Sequence, residues 1–396
     1  MIISENHLAQ HHFFRLKNTK LNEIYYSMSI RSVIIALVNI FIPIYLYTVS
    51  YSIRQIIIFE LIMFAGQAIL EYPAVKIIAR FGPKHAIAFS LPFLVFHFWL
   101  LWTIPTNHWP FWFIALTGSV ALAFFWQAYH YDFSKSKKQE KATKEIRVIF
   151  VLIAILSAIA PVIGGYVADY YGISTLLGVV TGLVLASMFP LFVQREPHIK
   201  EKISLAKVYS KRILREQLSY GGNSIETSVS LIFWPIFMFI LLGTYFSVGL
   251  VVALSSLVAV AVTYFIGHHS DRRKKIYYIG TGGILTATIN IIRVFAYSFL
   301  SILFINIGRS ITQSIYESPF VAEYYLHADE GKRTEYIFLM ELGSDICRII
   351  YFSLLLILSF YLGGRDLLAW ALVIGAVGTT LITLMPSTKQ SKNAIN

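Results

Sequence analysis

The chain has 396 residues, of which 57% are hydrophobic and only 14% charged, with a formal net charge of +12. Soluble domains usually have about 25% charged residues, so this composition excludes an ordinary water-soluble protein. The single cysteine, Cys347, excludes an intrachain disulfide. The apolar residues come in blocks of about 20, and a helix of that length crosses the roughly 30 Å hydrocarbon layer of a membrane.

The apolar blocks predict about twelve membrane-spanning helices and therefore an all-α membrane protein. In chain order they lie near residues 27–49, 55–78, 84–104, 109–131, 147–168, 173–193, 222–243, 245–267, 275–297, 299–321, 334–361 and 366–385.

The longest hydrophilic stretch, residues 194–221, separates six predicted helices from the next six. We expect it to be a cytoplasmic linker, either with a short surface helix or fully solvated. The predicted organisation is an N-terminal tail, a first six-helix bundle, the linker, a second bundle and a C-terminal tail, at residues 1–26, 27–193, 194–221, 222–385 and 386–396.

Most of the 33 Lys and Arg residues lie in the even-numbered connections and in the two tails, whereas the odd-numbered connections hold only Arg54 and Arg365. Cytoplasmic loops of membrane proteins are rich in Lys and Arg, so both termini are predicted to be cytoplasmic. The positive charges are dispersed over short loops, which favours anionic lipid headgroups over nucleic acid as their neighbours. We expect an integral protein of a bacterial plasma membrane.

The connection before the ninth predicted helix reads GHHSDRRKK over residues 267–275. A glycine lets two helices approach closely, and an aspartate at a helix end can bind the N-terminus of a neighbouring helix. We interpret Gly267, Asp271 and Arg272 as a candidate latch between the two halves. An ordinary basic loop that sets orientation is the alternative.

The connection after the second predicted helix has a related pattern, with Arg80, Gly82 and Lys84, but it has Ala79 at the position of the aspartate. We expect these three residues to form a degenerate gating loop.

The fifth predicted helix contains APVIGG over residues 160–165, followed by Asp169. Pro161 removes a backbone hydrogen bond, and Gly164 and Gly165 allow close helix contact, so this helix should kink and pack tightly. Such kinks are also common in membrane helices in general.

These segments resemble motifs of the major facilitator superfamily of transporters. Residues 267–275 are similar to its G-x-x-x-D-R-x-G-R-K/R loop, with Lys274 where glycine is usual. Residues 160–165 are similar to the G-P-x-x-G-G motif of its antiporter branches, with Ala160 for the first glycine. The resemblance implies two pseudo-symmetric six-helix bundles that transport a solute by alternating access, with the first, fourth, seventh and tenth helices around a central cavity.

Polar residues inside apolar spans are costly and mark candidate sites. Helices seven and ten carry polar stripes that fit the wall of an aqueous cavity, although they could instead pair with each other and hold the two helices together. The predicted cavity residues, chosen from the first, fourth, seventh and tenth helices, are Arg31, Trp126, Tyr129, His130, Glu226, Ser230, Trp234, Asn306, Arg309, Gln313 and Glu317.

We hypothesise that Glu226 or Glu317 exchanges a proton and that Arg309 attracts an anionic group of the substrate. The second helix has its own stripe of Glu60, Gln67 and Glu71, and the eleventh has one of Glu341, Asp345 and Arg348. Asp345 and Arg348 should form an ion pair within the eleventh helix.

The predicted function is proton-coupled export of small amphipathic compounds by a monomer that needs no cofactor beyond a proton gradient. An importer or a lipid-moving carrier of the same fold is the alternative, and a membrane enzyme or channel is disfavoured because no catalytic motif or filter-like segment is present. No phosphate-binding loop is present that would let ATP drive the protein.

Overall fold

The computed structural model describes residues 31–136, 144–187, 203, 210–269 and 275–387. Within these ranges every regular element is helical, which confirms the predicted fold class. The helices are α1 (Arg31–Thr48), α2 (Ile53–Phe81), α3 (Pro83–Trp102), α4 (Phe111–Ser136), α5 (Lys144–Tyr170), α6 (Ile173–Ala186), α7 (Lys211–Leu242), α8 (Tyr245–His269), α9 (Lys275–Phe295), α10 (Phe299–Asp329), α11 (Arg333–Leu358) and α12 (Gly364–Leu384).

In the described part of the chain, nine of these helices are long and apolar enough to cross a membrane. α6 is shorter, and α10 and α11 carry polar and charged residues at intervals along their length. Together they make the chain an integral membrane protein.

Side-chain caps and glycines define several helix ends. Ser52 forms a capping box with Gln55 at the start of α2, and the Ser298 side chain accepts a hydrogen bond from a backbone N–H at the start of α10. Gly82 joins α2 to α3 with a φ of 96°, a conformation that side chains other than glycine rarely adopt. Pro83 follows at the first position of α3, where its missing N–H costs nothing.

Helices α1–α6 form the first half of the protein and α7–α12 form the second. The two halves meet along two helix pairs, in which α5 packs on α8 and α2 packs on α11. A side chain at Gly165 of α5 would collide with the carbonyl oxygen of Tyr245, and one at Gly249 of α8 would collide with the backbone of α5. These glycines therefore bring the two backbones into contact, as the sequence predicted for α5.

The structure differs from the sequence expectation most at α7. This helix begins at Lys211, inside the stretch 194–221 that was expected to be a linker, with the Ser210 side chain as its N-cap. A π-helical turn at Val229–Phe233 interrupts it in the middle. Because α7 starts earlier, Glu226 lies deep in the helix instead of near its end. Irregular turns of this kind are frequent at functional sites.

Candidate functional site

A cavity of about 400 Å³ lies between the two halves. Helices α1, α2, α3 and α4 form most of its wall, and α7 and α11 contribute from the second half. The wall is mainly apolar and aromatic, with side chains that include Phe59, Met63, Phe98, Phe125 and Trp126. Such a lining suits a small solute with an apolar body.

The charged side chains in the cavity wall are Arg31, Glu60 and Arg348. The guanidinium carbon of Arg31 lies 3.5 Å from the centre of the Phe125 ring. Arg31 is only 6% exposed, and its Nη1 has no hydrogen-bond partner among the described residues. A buried guanidinium that rests on a ring face and keeps an open donor can bind an anionic group of a solute.

Three of the predicted cavity residues, Arg31, Trp126 and Tyr129, line this cavity. His130 lies outside the cavity wall, and its Nδ1 is 2.8 Å from the hydroxyl of Tyr325. None of the predicted residues of α7 and α10 lines the cavity; α7 contributes other residues instead, among them Thr227 and Leu231.

Glu226 of α7 and Arg309 of α10 bind each other. Nε of Arg309 donates to Oε1 of Glu226 at 3.1 Å, and Nη2 donates to Oε2 at 3.0 Å. This two-pronged geometry is the strong form of an arginine–carboxylate pair. The polar stripes of α7 and α10 therefore contact each other. This is the interhelical pairing that the sequence pattern allowed as the alternative to a cavity wall.

Arg293 of α9 extends this pair into a network. Its Nη1 donates to the Ser230 hydroxyl at 3.0 Å and to Oδ1 of Asn290 at 2.7 Å, and Ser230 in turn donates to Glu226 at 2.8 Å. Arg293 is fully buried and lies over the Trp234 ring at 4.8 Å. The sequence placed Arg293 in a span, but its position at the predicted end of the ninth helix gave no sign of this role.

The remaining predicted residues of α7 and α10 have separate positions. Nε1 of Trp234 donates to Oδ1 of Asn306 at 3.0 Å, so these two join α7 to α10. Gln313 and Glu317 hydrogen-bond to each other on α10, and Glu317 is exposed. Their role in transport stays a prediction.

Ionisable side chains of α2 and α11 meet at the boundary between the halves. We call this group of four residues the seam cluster: Glu71, Glu341, Asp345 and Arg348. Nη1 of Arg348 lies 3.4 Å from Oδ1 of Asp345, which confirms the ion pair predicted within α11. Glu341 accepts a hydrogen bond of 2.8 Å from the Tyr220 hydroxyl. The cluster thus combines three carboxyls with one guanidinium. The stripes on α2 and α11 were visible in the sequence, but their meeting was not.

The two halves touch at both ends of the cavity. At one end, His130 of α4 binds the hydroxyl of Tyr325 of α10. At the other end, Nε of Arg54 in α2 donates to the Ser359 hydroxyl just after α11 at 3.1 Å. The cavity therefore lies between two sets of contacts that join the halves.

An aspartate caps a helix of the opposite half. The Asp169 carboxylate in α5 accepts the backbone N–H of Tyr245 at 3.0 Å and of Phe246 at 2.7 Å, at the N-terminus of α8. A carboxylate is favourable at a helix N-terminus, where the backbone N–H groups are unpaired. The kind of contact that was expected of Asp271 is thus made here by Asp169.

The other predicted gating residues are only partly described. Arg80 is exposed with its guanidinium 5.2 Å from the Phe81 ring, whereas Lys84 is buried. Gly267 lies in α8, and Asp271 and Arg272 lie outside the described residues. Their role as a latch stays a prediction. Pro161 lies inside α5, next to the close contact with α8.

No group of three His, Cys, Asp or Glu side chains that could hold a metal ion is present in the described ranges. The helices, the two halves and the central cavity define a polytopic membrane protein of the carrier type. A family model described as "Major Facilitator Superfamily" matches residues 24–352. The chain belongs to this superfamily and is one of its transporters. No curated protein matches the sequence.

Proposed function

We propose that the protein exports small amphipathic compounds in exchange for protons, by alternating access. The observation that carries this proposal is the cavity between the halves, whose aromatic wall contains the buried guanidinium of Arg31. The apolar part of a solute would pack on Phe98 and Trp126, and a polar or anionic group would bind at Arg31.

The contacts at the two ends of the cavity support an alternating mechanism. His130 and Tyr325 join the halves at one end, and Arg54 and Ser359 join them at the other. Separation of one contact while the other holds exposes the cavity to one side of the membrane at a time. Rocking of two bundles around a midplane site is the general mechanism of such carriers.

The carboxyl groups inside the membrane support coupling to protons. The negative charge of Glu226 is balanced by the positive charge of Arg309, so Glu226 can exchange a proton only when this ion pair separates. The seam cluster, by contrast, contains more carboxyls than cations. Carboxyls that share one cation in a buried site favour binding a proton, because like charges in a low dielectric repel strongly.

We also propose that both termini are cytoplasmic, that the membrane is a bacterial plasma membrane and that the monomer is the working unit. The alternation of Lys and Arg between successive connections supports the orientation. A small-molecule substrate and the lipid bilayer are the partners that this arrangement requires.

The function is tested in two stages. A thermal-shift screen of the purified protein against metabolites and drugs first identifies a ligand, which is then used in proteoliposomes with an imposed pH gradient. An exporter that exchanges solute for protons accumulates the ligand in the compartment with the higher proton concentration. Accumulation in the opposite compartment would instead support the importer, and transport that ignores the gradient would contradict proton coupling.

A further inference from the structure

The strongest unexplained feature is a pair of carboxyls at the seam between α2 and α11. Glu71 and Asp345 are both fully buried and lie within hydrogen-bonding reach of each other. Gln67 donates to Oε1 of Glu71 at 3.4 Å, and Arg348 lies 3.4 Å from Oδ1 of Asp345. Oε2 of Glu71 and Oδ2 of Asp345 have no donor among the described residues.

We propose that Glu71 and Asp345 bind one proton between them and that this shared proton joins the two halves of the protein. Two ionised carboxylates in contact away from water repel each other strongly, whereas one proton turns them into a donor and an acceptor. A hydrogen bond from a carboxylic acid to a carboxylate is short and strong. The proposal rests on the proposed function, because it gives the exchanged proton a binding site.

The neighbours of the pair fit a single bound proton. Arg348 is the cation beside Asp345, and it also faces Glu60 and Glu341, so this single positive charge cannot neutralise all of these acids when they are ionised. Gln127 of α4 faces Glu71 and is uncharged. Glu341 is the other acid that faces the pair.

Glu341 is stabilised by groups of its own. It accepts from the Tyr220 hydroxyl of α7 at 2.8 Å and lies 3.4 Å from Nε2 of His130 in α4. The Tyr220 hydroxyl donates to the ionised form of Glu341, whereas Glu71 and Asp345 face each other, so we assign the proton at the seam to that pair.

The position of the pair links proton binding to movement. Glu71 belongs to the first half and Asp345 to the second, so separation of α2 from α11 divides the pair. Each carboxyl then gains access to water and ionises. The proton leaves the O–H bond and passes into the water on the side of the membrane to which the seam has opened. By thermodynamic linkage, proton binding must favour the closed seam as much as closure favours proton binding.

Infrared difference spectroscopy on the full chain in lipid nanodiscs tests this without any substrate. We expect a protonated carboxyl band in the wild type that disappears as the pH is raised and is missing from the Glu71→Gln variant. In the Asp345→Asn variant the band should disappear at a pH about one unit or more lower than in the wild type, because the like charge that faces Glu71 is gone. Asp366→Asn is the control and should keep the wild-type band, because Asp366 is an exposed acid in the first turn of α12, away from the seam.

A Glu71→Gln spectrum identical to the wild type, or an Asp345→Asn band with an unchanged midpoint, would overturn the shared proton. Melting temperatures of the variants show whether each is folded, and the two single variants test the pair independently of each other. If the band behaves as expected but transport does not depend on the pH gradient, the shared proton site is supported and the proposed coupling of transport to protons is contradicted. If transport follows the gradient and the band is absent, another group carries the proton.

Discussion

Glu226 and Arg309 form a bidentate ion pair between α7 and α10, with Glu226 only 1% exposed. Removal of one member of a buried pair leaves the other charge without a partner, which typically costs about 3–5 kcal/mol. We therefore expect Arg309→Met to lower the melting temperature of the purified protein strongly.

The double variant Glu226→Gln with Arg309→Met is the control for this prediction. It removes both charges of the pair and should recover part of the lost stability; the recovery is incomplete because buried Arg293 loses its nearby carboxylate. A double variant that is less stable than Arg309→Met would show that the pair is not the source of the effect.

The close approach of α5 and α8 depends on Gly165. A side chain there would meet the backbone of Tyr245 and Phe246, so Gly165→Val should lower both the melting temperature and the transport rate. Gly182→Val in α6 is the matched control, because no atom of a neighbouring element lies within 4 Å of a Cβ added at that position. Equal losses in the two variants would argue against a special role of the α5–α8 contact.

Arg31 should determine the affinity for anionic ligands. An ionic hydrogen bond to a ligand contributes about 1.5–3 kcal/mol, so Arg31→Gln should weaken binding of an anionic hit at least about tenfold. Arg215→Gln removes an exposed arginine of α7 outside the cavity wall and should leave the affinity unchanged. Thermal-shift titrations of the two variants measure the difference, and equal affinities would exclude Arg31 from the site.

The predicted orientation can be checked by labelling. Single cysteines that replace Lys137 and Lys207 in a Cys347→Ala background should react with an impermeant maleimide from the cytoplasmic side only. Labelling of the two positions from opposite sides would contradict the division into two six-helix halves.

The sequence predicted the order of the helices because apolar blocks of membrane length leave little choice of secondary structure. It also predicted close packing at Gly164 and Gly165, since a glycine in an apolar helix indicates contact with another backbone. The start of α7 was wrong, because Lys211 and its polar neighbours were assigned to a linker with a separate surface helix or a solvated segment, although they form the first turns of α7 behind the Ser210 cap.

The site was harder to predict than the fold, because polar stripes show which residues share a face but not what that face meets. Glu226 and Arg309 were both predicted as cavity residues, yet they satisfy each other. Glu71 and Asp345 lie on different helices far apart in the sequence, and no local pattern shows that they touch. Pairing between helices is therefore the information that the structure adds.

In the proposed mechanism, one cavity between the halves opens to each side of the membrane in turn. Thr227 lines this cavity from α7, so Thr227→Cys in the Cys347→Ala background places a label site within it. In oriented membrane vesicles, we expect an impermeant maleimide to react with this cysteine when added from either side in separate experiments. Reaction from one side only, at every pH and with or without a bound ligand, would contradict alternating access.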